Sequence, residues 1–541
     1  RGLAWGSDDE ARALIVLGDA SARIALRGAA RVLAIAPADE LTRASVLAWR
    51  GSRARFESFC ALARSASAPR DLRGEFRTPA PPRWKPLVTR GTLGAAQGAF
   101  ALDAVQLPFE NPWGALLFTS GIDFLPNGDA AICTAHGDVW IASGLDAELR
   151  EVRWRRFATG LYQPLGLAVR DGAIFALGRD QLTRLVDRDG DGEADLYVNH
   201  CSLLEDLGEP HAYAMDLALD AAGNFHFQKS GGNGTAHGSS TLRIAADGSA
   251  IEVLAHGFRH ANGIGVGPHG EITNADNQGD WVPATRLNWL YRPGYHGGYV
   301  PGFRGTGDPQ AYDPPLCWIP HAIDNSAGGQ VWVPHERFGL PRGTLLHTSF
   351  GRCRLYLVLH ELADPASGLR QGGVVPLPFL FESGVCRARF HPRDGALWAV
   401  GLEGWQTAAQ RDGCLQRLRF VGGALRLPLA LSVHSDALEL RFAEPLDPAS
   451  VTAEAFAVER WNYRYSARYG SDEWSIATPE QNGRDAVRVL RVALSEENRC
   501  VRLELESFAP VMQQRVTWTL RDAGGEPVRG ELYHTIHRLR D

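Results

Sequence analysis

One phrase recurs through the middle of the chain: an apolar strand, a short glycine turn often led by aspartate or proline, and a second apolar strand. It reads GIDFLPNGDAAICTAHGDVWIAS from Gly121, GLAVRDGAIFALGRDQLTRLVD from Gly166 and DLALDAAGNFHFQKSG from Asp216. It returns as GIGVGPHGEITNADNQGDW from Gly263 and ARFHPRDGALWAVGLEGW from Ala388. Glycine supplies the positive φ that tight β-turns demand, so each phrase reads as a hairpin. Hairpins repeated over about three hundred residues predict four-stranded blades around an axis. The fold class expected is all-β: a β-propeller of five to seven blades, six favoured. A large sandwich or barrel is the alternative.

The repeat does not fill the chain. At 541 residues the sequence exceeds what one hydrophobic core organises, so further domains are expected. Residues 1–86 read as a β-rich N-terminal domain with a linker, since short apolar runs end in a stretch holding five prolines between Ala68 and Pro86. FESFCALARS within it reads as one or two helical turns. The propeller is assigned to 87–423, and 424–541, with alternating strands and polar turns, reads as a β-sandwich. The aromatic insert RWNYRYSARYGSDEW, from Arg460, is richer than a spacer needs and is expected to fold back on the propeller.

Composition excludes some partners. A net charge of −6 and a pI near 6.3 give no basic face for nucleic acid. Apolar runs such as Val374–Phe381 fall far short of the ~20 residues of a membrane span. The chain begins at Arg1 and reads as processed. Eight cysteines carry no C-x-x-C pair, which argues against a zinc ribbon and against attached c-type haem. Disulfides and buried free thiols both remain open.

Three groups of residues suggest chemistry. Asp187, Asp189, Asp191 and Asp195 place acidic oxygens at alternate positions around glycines, a pattern suited to Ca²⁺. Val198 stands where an EF-hand has its closing glutamate, and a purely structural Asp/Gly turn is the alternative. Next, Gln278–Pro320 is dense in aromatics, Gly and Pro, and is expected to be a loop insertion that stacks on sugar rings. Its candidate substrate contacts are Trp281, Trp289, Tyr295 and Trp318, with His321 beside them. Finally, His136, His211, His260 and His321 stand near blade starts, where imidazoles from separate blades can converge and ligate a transition metal. Ordinary backbone hydrogen bonding is the alternative for each.

The phrases around His211-Ala-Tyr-Ala-Met-Asp216 and Gly257-Phe-Arg259-His260-Ala-Asn262-Gly263 resemble the glucose/sorbosone dehydrogenase class of quinoproteins. GLYQPLGL, LGRDQLTRL and DGDGEADLY are similar to dehydrogenase-like propellers of planctomycete-type bacteria. Phe442–Val451 and Asp522–Pro527 resemble the opening and closing turns of bacterial Ig-like domains. The first resemblance implies a sugar- or glycan-oxidising enzyme that uses pyrroloquinoline quinone and calcium. It implies His211 as general base, Arg259 as a catalytic and cofactor-facing cation, and Asn262 and Lys229 as further cofactor contacts. It also implies a carbohydrate substrate, an electron-acceptor protein and a periplasmic or extracellular location. A glycan lyase or hydrolase, or a glycan-binding protein without catalysis, are the rival functions on the same scaffold.

Overall fold

The computed structural model describes residues 2–37, 39, 42–67, 69, 81–206, 208–231, 235–291, 294, 296–297 and 312–540. Contacts divide the chain into two compact units, 1–81 and 82–541. The first is a three-stranded sheet of Gly2–Gly6, Glu10–Gly18 and Ala44–Ser52, a hairpin of Ala22–Arg27 with Ala30–Ile35, and one helix. That helix, Phe56–Ser65, is longer than the sequence suggested, because Phe59 and Ala63 lie on one face and are buried. Trp49 stacks on Phe59 with ring centroids 5.6 Å apart.

In the second unit six antiparallel sheets are each built on four strands, and their inner strands follow one another around an axis. The inner strands are Thr119–Phe124, Gly166–Arg170, Ala214–Leu219, Gly263–Val266, Ala327–Trp332 and Gly384–Phe390. Each packs on the next, and the sixth packs back on the first, so the architecture is a six-bladed propeller. Glycines make this approach possible. A Cβ on Gly166 would lie 2.4 Å from the Asp216 carbonyl oxygen, and one on Gly263 would lie 2.2 Å from Gly329 Cα.

Ring closure draws on both ends of the propeller sequence. The sixth blade takes its outer strand from Phe100–Val105, paired antiparallel to Gly413–Phe420 from Phe100↔Phe420 to Val105↔Leu415. Asp103 on the closing strand is fully buried and accepts from Arg417 Nε at 2.9 Å and Arg419 Nε at 2.8 Å. An ion pair across the closing strands ties the ends of the ring together.

The fifth blade carries the C-terminal region. Its outer strands, Arg354–Asp364 and Leu369–Leu380, run 11 and 12 residues and outreach the others. Gly372–Val374 pair with Tyr533–Thr535, so the sheet continues into Pro527–Ile536, Val511–Arg521, Phe456–Trp461 and Asp485–Val487. A second sheet of Pro428–Val433, Ala437–Phe442, Cys500–Leu505 and Val489–Ser495 faces this extension. Leu438, Leu440, Val501 and Leu503 meet Val516, Trp518 and Leu532 in one core, which makes a sandwich. All eight cysteines are free thiols, seven of them buried. No helix among the described residues is long and apolar enough to cross a membrane.

Strand direction fixes which loops meet. Inner strands all begin at one end of the ring, hereafter the mouth face. Loops between second and third strands gather there too, while loops joining first to second and third to fourth strands gather at the opposite face.

Candidate active site at the mouth of the propeller

A cavity of about 730 Å³ opens at the mouth face, and every blade contributes to it. Ser120, Leu165, Met215, Asn262, Ser326 and Arg387 come from the starts of the six inner strands. Ala135, Asn277, Phe350 and Trp405 come from loops that follow second strands. A cavity built this way brings together residues hundreds of positions apart in sequence.

Its floor is a buried polar network. Asp216, 1% exposed, sits at a bulge with φ 62° that turns its carboxylate toward the axis. One oxygen accepts from Ile264 N of the next blade at 3.1 Å, and the other lies 3.3 Å from Arg387 and 3.1 Å from Arg389 of the sixth. Arg387 also donates to Asn262 Oδ1 at 3.1 Å, while Asn262 Nδ2 donates to the Ala327 carbonyl at 2.8 Å. Asn262 does line the cavity, but its amide is committed to the wall.

The reactive polar groups stand above this floor. His211 is exposed, and its ring lies 5.8 Å from that of His260. Burial, with Arg259 and His211 nearby, pushes the His260 imidazole down to about 4, so it is neutral at pH 7. Asp276 accepts from the backbone N–H groups of Arg259 and His260 at 2.8 Å each, which fixes the turn that presents both side chains. Arg259 Nη1 donates to the Gln278 carbonyl at 3.0 Å, and the guanidinium faces the Tyr469 ring at 4.8 Å. It forms no ion pair with a carboxylate among the described residues. Among the described residues no aspartate or glutamate stands in the lining above this floor, where Arg259 has no counter-charge and Arg387 is paired with Asp216.

Of the residues expected to bind, the structure brings His211, Arg259 and Asn262 to one cavity. Lys229 is corrected. It is fully buried inside the third blade, donates to the carbonyls of Arg179 and Ala212 at 3.0 Å each, and does not line the cavity. Trp289 and Trp318 are corrected likewise. They lie on strands Thr285–Leu290 and Cys317–Ile319 within the core, where Trp289 meets Trp332 and His360, and Trp318 meets Tyr463. Trp281 is half-buried on a mouth-face loop, outside the cavity. His321 lines a separate depression of about 550 Å³ with Gln278 and Tyr463. Tyr295 lies outside the described residues. His136 packs against Phe118 at 4.9 Å and does not join the His211–His260 pair in the lining.

The acidic loop is elsewhere. Carboxylate oxygens of Asp187, Asp189 and Asp195 lie within 4.8 Å of one another, but the loop joins the third and fourth strands of the second blade. That connection belongs to the opposite face, so this loop cannot act on anything held at the mouth. Asp191 is not in the group; it caps its own turn by accepting from Glu193 N at 2.7 Å. Two aromatics outside the expected contacts, Trp405, 86% exposed, and Tyr469, 56% exposed, line the mouth.

No family model matches the chain, and no curated protein matches it. Solved structures similar to it include sugar dehydrogenases and a luciferin-regenerating enzyme. The PQQ domain of a Coprinopsis cinerea pyranose dehydrogenase is 13% identical, with 63% of this chain and 98% of that one covered at a TM-score of 0.43. The soluble aldose sugar dehydrogenase of Escherichia coli is 11% identical, with 56% and 96% covered at 0.39. The PQQ-bound aldose sugar dehydrogenase of Streptomyces coelicolor is 13% identical, with 79% and 100% covered at 0.35.

Proposed function

We propose that the mouth binds a sugar or glycan and that the protein oxidises it as a quinoprotein-type oxidoreductase. One observation carries the reading: His211, Arg259 and Asn262, the residues singled out by motif resemblance, share one cavity. His211 is the general base for the sugar hydroxyl, since its exposed imidazole lines the cavity. His260 stays neutral beside it and leaves an acceptor nitrogen toward the ligand. The donor set fits pyrroloquinoline quinone, a planar tricarboxylate. Arg259 has no acidic partner among the described residues, and neutral Gln163, Asn277 and Asn325 complete a described lining without carboxylates above the Asp216 floor. Arg259 would hold its carboxylate groups, and when bound it would supply the hydride acceptor. The working context of this reading is exported: a carbohydrate partner, an electron-acceptor protein, and an Ig-like sandwich bracing the fifth blade.

Calcium, in this proposal, belongs to the acidic loop as a structural ion. Asp187 accepts there from Gly190 N at 2.7 Å and Gly192 N at 2.9 Å, and this pre-forms the turn. A calcium-dependent rise in melting temperature that Asp187→Ala abolishes is expected; a rise that survives the substitution rejects the loop as the site.

The enzyme reading is tested by adding the quinone and calcium and following sugar-dependent dye reduction across monosaccharides and oligosaccharides. A flat dye trace across the panel counts against redox chemistry. The described lining, free of carboxylates above the floor, also favours a second reading, a lyase for acidic sugars. Arg259 would neutralise the sugar carboxylate while His211 removes the adjacent proton. Its signature is an ultraviolet-absorbing unsaturated product formed without any electron acceptor.

A further inference from the structure

One wall of the mouth does not come from the propeller. Strand Phe456–Trp461 of the sandwich continues into a projecting strap that returns at Trp474, where Asn462 and Trp474 exchange backbone hydrogen bonds of 2.9 Å. Across it, Trp281 N donates to Ser466 O at 2.9 Å, Gly470 N to Gly279 O at 3.0 Å and Ser471 N to Pro283 O at 2.9 Å. These rungs dock the strap on the mouth-face loop of the fourth blade.

The strap is also stiff. The Arg464 guanidinium lies 3.3 Å from the Trp474 ring centroid, Arg464 N donates to Ser471 Oγ at 2.9 Å, and Arg468 pairs with Asp472 at 2.7 Å. Tyr465, in contrast, packs inward against Trp318, with centroids 6.0 Å apart. Tyr469 alone of the strap's aromatics lines the cavity, held under Arg259. A second aromatic reaches the same cavity from the sixth blade: Trp405, the most exposed large apolar side chain among the described residues. Such exposure is expensive in water, and two exposed rings at one polar mouth mark a surface kept for a ligand. Rings of this kind present an apolar face beside a polar edge, which suits the C–H face of a pyranose.

We infer that Tyr469 and Trp405 are ring-binding platforms that make the mouth selective for oligosaccharides over single sugars, with Tyr469 supplied by the sandwich as a specificity-determining residue. The inference rests on the carbohydrate part of the proposed function and is independent of whether the chemistry is redox or elimination. Its test is calorimetric titration of the full chain, without cofactor or acceptor. The probes are cello-oligosaccharides and oligogalacturonides of one to four rings.

In at least one series Kd is expected to fall tenfold or more between one and three rings. Tyr469→Ala and Trp405→Ala each abolish that gain, Tyr469→Phe keeps it, and the melting temperature stays unchanged because both side chains are exposed. Affinity that does not depend on ring number overturns the inference, as does a gain that persists in both alanine variants. Dye reduction on monosaccharides with no oligosaccharide binding overturns it while leaving the enzyme reading intact. Absence of both binding and turnover removes the carbohydrate reading and this inference with it.

Discussion

The two ends of the propeller contain similar residue types used in different ways. At the mouth, Arg259 and the imidazoles of His211 and His260 face a cavity whose described lining holds no carboxylate above the Asp216 floor. The opposite face has a depression of about 610 Å³ that is richer still in charge, with Arg337, Arg393, Arg417 and Arg419 among Asp129, Asp146 and Asp394. Most of those charges are occupied. Arg417 donates to the carbonyls of Asp146 and Ala147, Arg337 to that of Arg393, and His391 pairs with Asp394 at 3.1 Å. Charge at the opposite face holds loops to one another; at the mouth Arg387 is likewise paired with Asp216, whereas Arg259 meets no carboxylate among the described residues. A candidate site is marked by a charged group without a counter-charge, and a count of polar groups does not find it.

The sharpest way to break this comparison is to remove one group from each face. His211→Ala is expected to lower turnover by about 10²–10⁴-fold, the usual worth of a positioned general base. Arg393→Ala, on the opposite depression, is expected to change turnover by less than about twofold, as surface substitutions away from the chemistry do. Steady-state rates of dye reduction, or of unsaturated product formation, read both. Equal losses in the two variants would erase the distinction between the faces.

A second test asks whether buried charge away from the mouth serves the ring. Asp103→Ala leaves Arg417, 2% exposed, without its carboxylate on the closing strand. Removing one partner of a buried pair costs about 3–5 kcal/mol, so the urea midpoint should fall markedly. A midpoint within error of the parent would mean that the pair does not hold the ring closed. Ligand affinity at temperatures where the variant stays folded should be untouched, because neither Asp103 nor Arg417 reaches the mouth.

What was readable from sequence follows the same division. Five of the six blades announce themselves because their first two strands meet in a short glycine turn. The fifth blade does not, since its inner strand Ala327–Trp332 is joined to Leu345–Ser349 by a longer loop containing the 3₁₀ turn Glu336–Phe338. The closing strand Phe100–Val105 was equally silent, because its partner lies over three hundred residues downstream and the pairing exists only once the ring is closed. That His211, Arg259 and Asn262 share one cavity was legible because blade starts converge by topology. Lys229 misled because strand position, which sequence shows, does not reveal which way a long side chain is absorbed. The aromatic segment misled for a related reason: density of Trp and Tyr is the same signal for a core and for a binding face. Trp289 and Trp318 went to the core, and the exposed aromatics lining the mouth are Trp405 and, on a strap from the sandwich, Tyr469.

The smallest effect expected comes from protonation at the mouth. Burial, Arg259 and His211 hold His260 at about 4, below its ordinary value of about 6.5 in an unfolded chain. As pH falls below about 6.5 the unfolded state binds a proton that the folded state refuses, so stability declines until about pH 4 and then levels. The full linkage slope is about 1.4 kcal/mol per pH unit for one group. His260 is only partly buried and should contribute less than about 1 kcal/mol per unit. His534 and His537 in the sandwich and His360 in the fifth blade are also lowered by burial and share this acid limb. His260→Gln should therefore flatten the limb in part, visible as a smaller loss of urea midpoint between pH 6.5 and 4. An unchanged limb would mean that water or a counter-charge reaches His260.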